Sequence, residues 1–105
     1  MAEKTIMLVC SAGMSTSLLV TKMQAASKAR EIDTEIFAVS AAEADRNIEN
    51  KNIDVMLLGP QVRFMKGQFE KKLAGKNIPL DIINMQDYGK MNGENVLDQA
   101  IKLMN

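Results

Sequence analysis

Four short apolar runs alternate with helical patterns along this chain, and this alternation is what most constrains its fold. The runs are TIMLV (5–9), EIFAV (35–39), IDVMLLG (53–59) and PLDIINM (79–85). The first and third are nearly continuous in apolar residues, as strands buried on both faces are. The second and fourth alternate more with polar residues, which is typical of strands nearer the edges of a sheet.

The segments that follow the runs carry the signals of helices. Ser40 and Glu43 have the spacing of a capping box at a helix start, and Gly75 is placed to end a helix. Apolar side chains recur at helical spacing in three other segments: Leu19, Met23 and Ala26; Val62, Met65, Phe69 and Leu73; and Leu97, Ala100, Ile101 and Met104.

The resulting order, βαβαβαβα, predicts an α/β fold with three layers, in which helices cover both faces of a four-stranded parallel sheet. We expect the strand order 2-1-3-4, which has a switch point beside strand 1. Ligands of such folds bind outside the carboxyl ends of the strands at that point. The length of 105 residues fits a single domain over residues 1–105.

Composition excludes several classes of function. Thirteen basic and thirteen acidic residues cancel, which argues against nucleic acid or an anionic membrane as the main partner. The single cysteine, Cys10, cannot form an intramolecular disulfide, so a cytoplasmic location is expected. No segment resembles a signal peptide or approaches the roughly 20 apolar residues of a membrane span. With no histidine and one cysteine, we expect no metal and no cofactor.

The junction after the first run, LVCSAGMSTSLL (8–19), places Cys10 at the predicted switch point. One interpretation is a plain turn with an inert buried cysteine. The other is a nucleophile beside an anion-binding loop over Ser11–Ser17. Gly13 allows backbone N–H groups to turn inward, and Ser15, Thr16 and Ser17 are good N-caps for a helix starting at Leu18. That helix start would stabilise a thiolate or a phosphate bonded to its sulfur.

The residue six positions after Cys10 separates two kinds of phosphate chemistry. A cysteine phosphatase needs an arginine there to clamp the phosphoryl oxygens. This chain has Thr16 at that position, and neither Arg nor Lys lies between Cys10 and Lys22. The missing clamp favours storage and transfer of a phosphoryl group over hydrolysis.

The segment LVCSAGMSTSLLVTKM (8–23) closely resembles the active-site region of IIB components of the bacterial phosphotransferase system, lactose/cellobiose family. DVMLLGPQV (54–62) and YGKMNG (88–93) extend the resemblance over nearly the whole chain. It implies a four-stranded parallel sheet similar in shape to small tyrosine phosphatases.

The resemblance also implies a phosphotransferase activity. A phosphohistidine IIA protein would phosphorylate Cys10, and the phosphocysteine would donate to a β-linked sugar, such as cellobiose or chitobiose, held by the membrane component IIC. The phosphate loop of the family maps onto seven residues, mostly through their backbone amides: Ser11, Ala12, Gly13, Met14, Ser15, Thr16 and Ser17. Covalent phosphocysteine needs no cofactor. The alternatives are a small cysteine phosphatase or arsenate-reductase-like enzyme, and a non-catalytic binding module.

Residues after the third and fourth runs fall on the same rim as Cys10. Gly59 and Pro60 are expected to make a turn, whereas Gln61 could border the phosphate loop or a partner. Tyr88 is a second candidate for that role. Its neighbour Asp87 is expected to be loop polarity rather than a general acid, because the proline that phosphatases carry between Asp and Tyr is missing. We also expect Met14 to be exposed, and Arg63, Lys66, Lys71 and Lys72 to form a solvated face.

Overall fold

Strand β1 (Lys4–Cys10) lies inside a four-stranded sheet, between β2 (Thr34–Ser40) and β3 (Val55–Leu58). The computed structural model describes residues 4–10 and 14–104. Strand β4 (Leu80–Ile82) pairs with the far side of β3. All pairings are parallel, and the order β2-β1-β3-β4 confirms the sequence prediction.

Helices cover both faces of the sheet, as predicted. The helical segments are α1 (Met14–Ala29), α2 (Ala41–Asn50), a 3-10 helix (Pro60–Met65), α3 (Lys66–Leu73), α4 (Met85–Gly89) and α5 (Gly93–Met104). Residues of α1 and α5 bury their apolar sides against one face, and residues of α2, the 3-10 helix and α3 against the other.

Alternate residues of β1 supply two separate hydrophobic cores. Ile6 and Leu8 pack with α1 and α5, whereas Met7 and Val9 pack with α2 and α3. Successive side chains of a strand point to opposite faces, so a continuous apolar strand serves both cores. This explains why the first run contains so few polar residues.

The contact between α1 and α5 is close at Gly93. A methyl group added there would lie 2.5 Å from the carbonyl carbon of Lys22 and 2.7 Å from the backbone nitrogen of Met23. Only glycine fits this approach. Just after the carboxyl end of α1, Arg30 donates to Asp98 of α5 with 2.5 Å between the atoms.

Two predicted strands are shorter than expected. The apolar runs over 53–59 and 79–85 contain regular strand only at Val55–Leu58 and Leu80–Ile82. The fourth run ends early because the Asn84 side chain accepts hydrogen bonds from the backbone of Gln86 and Asp87, which starts α4. A capping side chain therefore interrupts what looked like a longer strand.

The third predicted helix is divided. Pro60 opens the 3-10 helix, Val62 has non-helical backbone angles, and α3 follows from Lys66. A type II turn follows α3, in which Gly75 has a φ of 83° and the Lys76 N–H donates to the Leu73 carbonyl.

Ser40 is the N-cap residue of α2, as predicted, but its hydroxyl does not accept from the helix backbone. It donates instead to the Glu43 carboxylate over 3.1 Å, so the pair lacks the reciprocal backbone bonds of a capping box.

Candidate functional site

The candidate site lies at the carboxyl edge of the sheet, where all four parallel strands end. Strand β1 ends at Cys10, and α1 begins four positions later at Met14. The first backbone N–H groups of a helix have no partner within the helix and carry a partial positive charge. Because α1 has 16 residues, its amino end can contribute to an anion site close to Cys10.

Cys10 is 1% exposed and stands opposite Ser40 of β2 in the sheet register. Its Sγ donates a hydrogen bond to the carbonyl oxygen of Val39, with 3.7 Å between the two atoms. The thiol is therefore held inside the rim of the sheet rather than exposed on a surface. Such a position limits the access of water to the sulfur.

The predicted phosphate loop falls into two parts. Ser11, Ala12 and Gly13 lie outside the described residues, as do the side chains of Met14 and Ser15, so the exposure expected for Met14 stays a prediction. The backbone of Met14, Ser15, Thr16 and Ser17 forms the first turn of α1.

The predicted N-caps are therefore wrong, because Ser15, Thr16 and Ser17 are already helical. The helix therefore begins at Met14, earlier than the apolar pattern suggested. Thr16 is 1% exposed, and its hydroxyl has a partner on another element.

That partner is Tyr88 of α4, one of the two rim residues predicted from sequence. The Tyr88 hydroxyl lies 3.2 Å from Thr16 Oγ1, and either atom can be the donor. Gln61, the other predicted rim residue, donates from Nε2 to the same Tyr88 oxygen over 2.7 Å. The structure thus brings three predicted site residues into one chain of hydrogen bonds.

Gly59 does more than make the predicted turn. Its N–H donates to the Val9 carbonyl over 2.7 Å. A methyl group added to Gly59 would lie 2.6 Å from Gln61 Oε1 and 3.8 Å from Cys10 Cβ. The exit of β3 and the Gln61 carboxamide therefore lie close to Cys10.

Asp87 has a structural role at the joint between α4 and α5. Its carboxylate accepts from the Asn95 side chain over 3.0 Å, and its carbonyl accepts from the Asn92 N–H. Asp87 lies in α4 rather than in the expected loop, and these contacts favour a structural role for it. Of the four predicted surface cations, Lys72 pairs with Asp45 of α2 at 2.8 Å.

Three apolar side chains on the segments that follow this edge are exposed, and they were not identified from sequence. Leu18, Phe64 and Met85 are 51%, 80% and 58% exposed, and they stand on α1, the 3-10 helix and α4. Each of these segments follows the carboxyl end of a strand. Phe64 could have been noticed, since it falls outside the apolar spacing of Val62, Met65 and Phe69.

Two further structural findings concern the described residues. No three His, Cys, Asp or Glu side chains within 4–10 and 14–104 come together as metal ligands. In the same part of the chain, no helix has the length and apolar character needed to cross a membrane.

Comparison with known proteins gives consistent matches. The family model described as "PTS system, Lactose/Cellobiose specific IIB subunit" matches residues 5–99. Two relatives are each 53% identical over 108 residues and cover 100% of both chains. They are the PTS system galactose-specific EIIB component of Lactococcus lactis subsp. cremoris (strain MG1363) and the cellobiose-specific EIIB component of Lactococcus lactis subsp. lactis (strain IL1403).

A solved structure agrees with these sequence matches. The solution structure of the cellobiose-specific phosphotransferase IIB component from Borrelia burgdorferi is 43% identical, with a TM-score of 0.78. The match covers 97% of this chain and 92% of that one.

Proposed function

The chain belongs to the lactose/cellobiose-specific IIB subunits of the sugar phosphotransferase system, and from this premise we propose that Cys10 carries the phosphoryl group. IIB components are phosphotransferases that work with IIA and IIC components. The observation that best supports Cys10 is its position, at the end of β1 and directly before the amino end of α1.

In the first step, the Cys10 sulfur attacks the phosphorus of a phosphohistidine on IIA. The N–P bond breaks as the S–P bond forms, and the thiol proton ends on the histidine that is released. The phosphoryl oxygens receive hydrogen bonds from backbone amides of the loop over Ser11–Ser17, and no cofactor is required. Donors fixed in place before the reaction lower its barrier because they need no reorganisation.

In the second step, the phosphocysteine donates to a hydroxyl of a sugar bound in IIC. The S–P bond breaks, an O–P bond forms, and the hydroxyl proton returns to the sulfur. We propose a β-linked disaccharide of the cellobiose or chitobiose type as the acceptor. The cellobiose specificity named for one of the two relatives supports this class of sugar.

Both partners must reach a sulfur that lies below the rim of the sheet. We propose that IIA, and then IIC at the cytoplasmic side of the membrane, dock through the exposed apolar side chains of Leu18, Phe64 and Met85, which stand on the segments that follow β1, β3 and β4. An apolar contact ring would exclude water during transfer and so protect the phosphocysteine from hydrolysis.

A phosphatase is less well supported. The position of the clamp arginine is taken by Thr16, whose hydroxyl contacts Tyr88. A threonine cannot supply the charge and the paired donors with which arginine holds phosphoryl oxygens.

The test is incubation with phosphoenolpyruvate, the general phosphotransferase proteins and a IIA protein of the same family, followed by intact-mass and peptide analysis. We expect one phosphoryl group on wild-type Cys10, none on Cys10→Ser, and normal uptake by the control Thr21→Val. Uptake by Cys10→Ser at another residue would contradict the assignment. Rapid turnover of p-nitrophenyl phosphate would favour the phosphatase instead.

A further inference from the structure

Tyr88 occupies a junction of three segments around Cys10. It is the only tyrosine of the chain and lies in α4, whose first turn is capped by Asn84. The Tyr88 N–H donates to the Asn84 carbonyl over 2.9 Å, and its ring packs against the core beneath α1 and α5. The hydroxyl is therefore presented from a well-anchored side chain.

On one side, Tyr88 meets the first turn of α1. The Thr16 hydroxyl is almost fully buried, and a buried hydroxyl without a hydrogen-bond partner would cost stability. Its contact with the Tyr88 hydroxyl ties the start of α1 to α4. This is the turn whose backbone directly follows the loop at Ser11–Gly13.

On the other side, Tyr88 meets the exit of β3. Gln61 donates to the Tyr88 oxygen, and its second carboxamide atom, Oε1, lies over Gly59, whose own Cβ position would be 3.8 Å from Cys10 Cβ. One hydroxyl thus connects the two segments that stand on either side of the reacting sulfur.

We propose that Tyr88 is a positioning residue for phosphoryl transfer. By holding Thr16 and Gln61, it fixes the start of α1 and the end of β3 relative to each other and to Cys10. This inference rests on the proposed function. It assigns Tyr88 no contact with the phosphoryl group, because its role is to preorganise the groups that make that contact.

The decisive variant is Tyr88→Phe, which keeps the ring and removes only the hydroxyl. With phospho-IIA as the donor, we expect kcat for phosphorylation of Cys10 to fall about three- to tenfold, the effect of losing one or two net hydrogen bonds. The KM for phospho-IIA should stay within about twofold, because IIA docks elsewhere on the rim. A fall in docking affinity with unchanged kcat would overturn the positioning role.

Thr16→Val is the second variant of the test, since valine has the shape of threonine without the hydroxyl. If both residues act through their mutual contact, Tyr88→Phe combined with Thr16→Val should be little slower than the slower single variant. Independent, multiplicative losses would contradict the proposal. Thr21→Val makes the same chemical change five residues further along α1, where the exposed hydroxyl donates to the Ser17 carbonyl over 3.1 Å. This control variant should transfer at the wild-type rate.

Amide hydrogen exchange gives a readout that does not depend on phosphoryl chemistry. Tyr88→Phe should speed exchange severalfold at Leu18, whose N–H closes the first turn of α1, while the centre of α1 stays protected. If wild type takes no phosphoryl group on Cys10, the proposed function fails, and the transfer role of Tyr88 fails with it. If wild type is phosphorylated but Tyr88→Phe matches it in kcat and in exchange, only the inference about Tyr88 is overturned.

Discussion

Cys10 and Gly59 are neighbours at the carboxyl edge of the sheet, and the lack of a side chain at Gly59 is part of how this site is built. The Gly59 backbone has a φ of −62°, which any residue adopts, so its identity is not required by conformation. What requires a small residue is the carboxamide of Gln61, which occupies the space where a Cβ would stand.

We predict that Gly59→Ala slows phosphorylation of Cys10 with little loss of stability. The new methyl group would displace Gln61 Oε1, because that atom ends a flexible side chain, and the hydrogen bond from Gln61 to Tyr88 would break. Transfer rates from phospho-IIA and urea unfolding measure the two effects.

Gly67→Ala is the matched control. Gly67 lies in α3 with open space around its Cβ position, so alanine should raise the free energy of unfolding by up to about 1 kcal/mol through helix propensity. Its transfer rate should equal that of wild type. Equal transfer rates for Gly59→Ala and Gly67→Ala would refute a role for the Gln61 position.

At the scale of elements, α1 is fixed at both ends. Thr16 ties its start to α4, and Arg30 beside its end pairs with Asp98 of α5. The hydrogen bond from Arg30 lowers the pKa of the Asp98 carboxyl below its ordinary 3.8, and the same bond raises the pKa of Arg30.

A carboxyl group with a lowered folded-state pKa stabilises the fold above its unfolded pKa, and this contribution is lost as the pH falls through the folded value. We therefore predict that Asp98→Asn is slightly less stable than wild type at neutral pH. The difference should shrink as the pH falls below 3.8 and disappear once it is below the lowered folded-state pKa, where the wild-type carboxyl is neutral. Urea unfolding at several pH values measures it.

Glu94→Gln serves as the comparison, because Glu94 lies 3.9 Å from Arg30 on the same helix α5. Its longer and more exposed ion pair should contribute less, and added salt should reduce both differences. A stability difference for Asp98→Asn that persists unchanged at acidic pH would show that the charge of Asp98 is not the cause.

The sequence predicted those elements whose signals are local. Continuous apolar runs identified β1 and β3, and the order of elements led to the switch point beside Cys10. Helix α4 was not predicted, because its start depends on two hydrogen bonds to the Asn84 side chain rather than on an apolar pattern. The contact of Thr16 with Tyr88 joins residues 72 positions apart, and no spacing rule connects them.

At the scale of the whole molecule, the segments with exposed apolar side chains follow the carboxyl edge, where we propose that Cys10 carries the phosphoryl group. We predict that Phe64→Ser raises the KM for phospho-IIA severalfold and leaves the free energy of unfolding nearly unchanged. The side chain is 80% exposed, so its truncation removes little buried area from the folded protein.

Lys76→Ser is the control, because it also shortens an exposed side chain. Lys76 lies at the opposite edge of the sheet, in the turn that precedes β4, so the KM for phospho-IIA should be unchanged. If Phe64→Ser instead lowered the free energy of unfolding substantially, or left the KM for phospho-IIA unchanged, a docking role for Phe64 would be contradicted.

The division into two hydrophobic cores affects which substitutions the chain can accept. Because alternate residues of β1 serve opposite faces, the two cores meet only through the backbone of the sheet. Substitutions in one core need not be compensated in the other, since distant sites without shared partners act additively. Each face can therefore accept substitutions of its own, and neither set needs to move the strand end at Cys10.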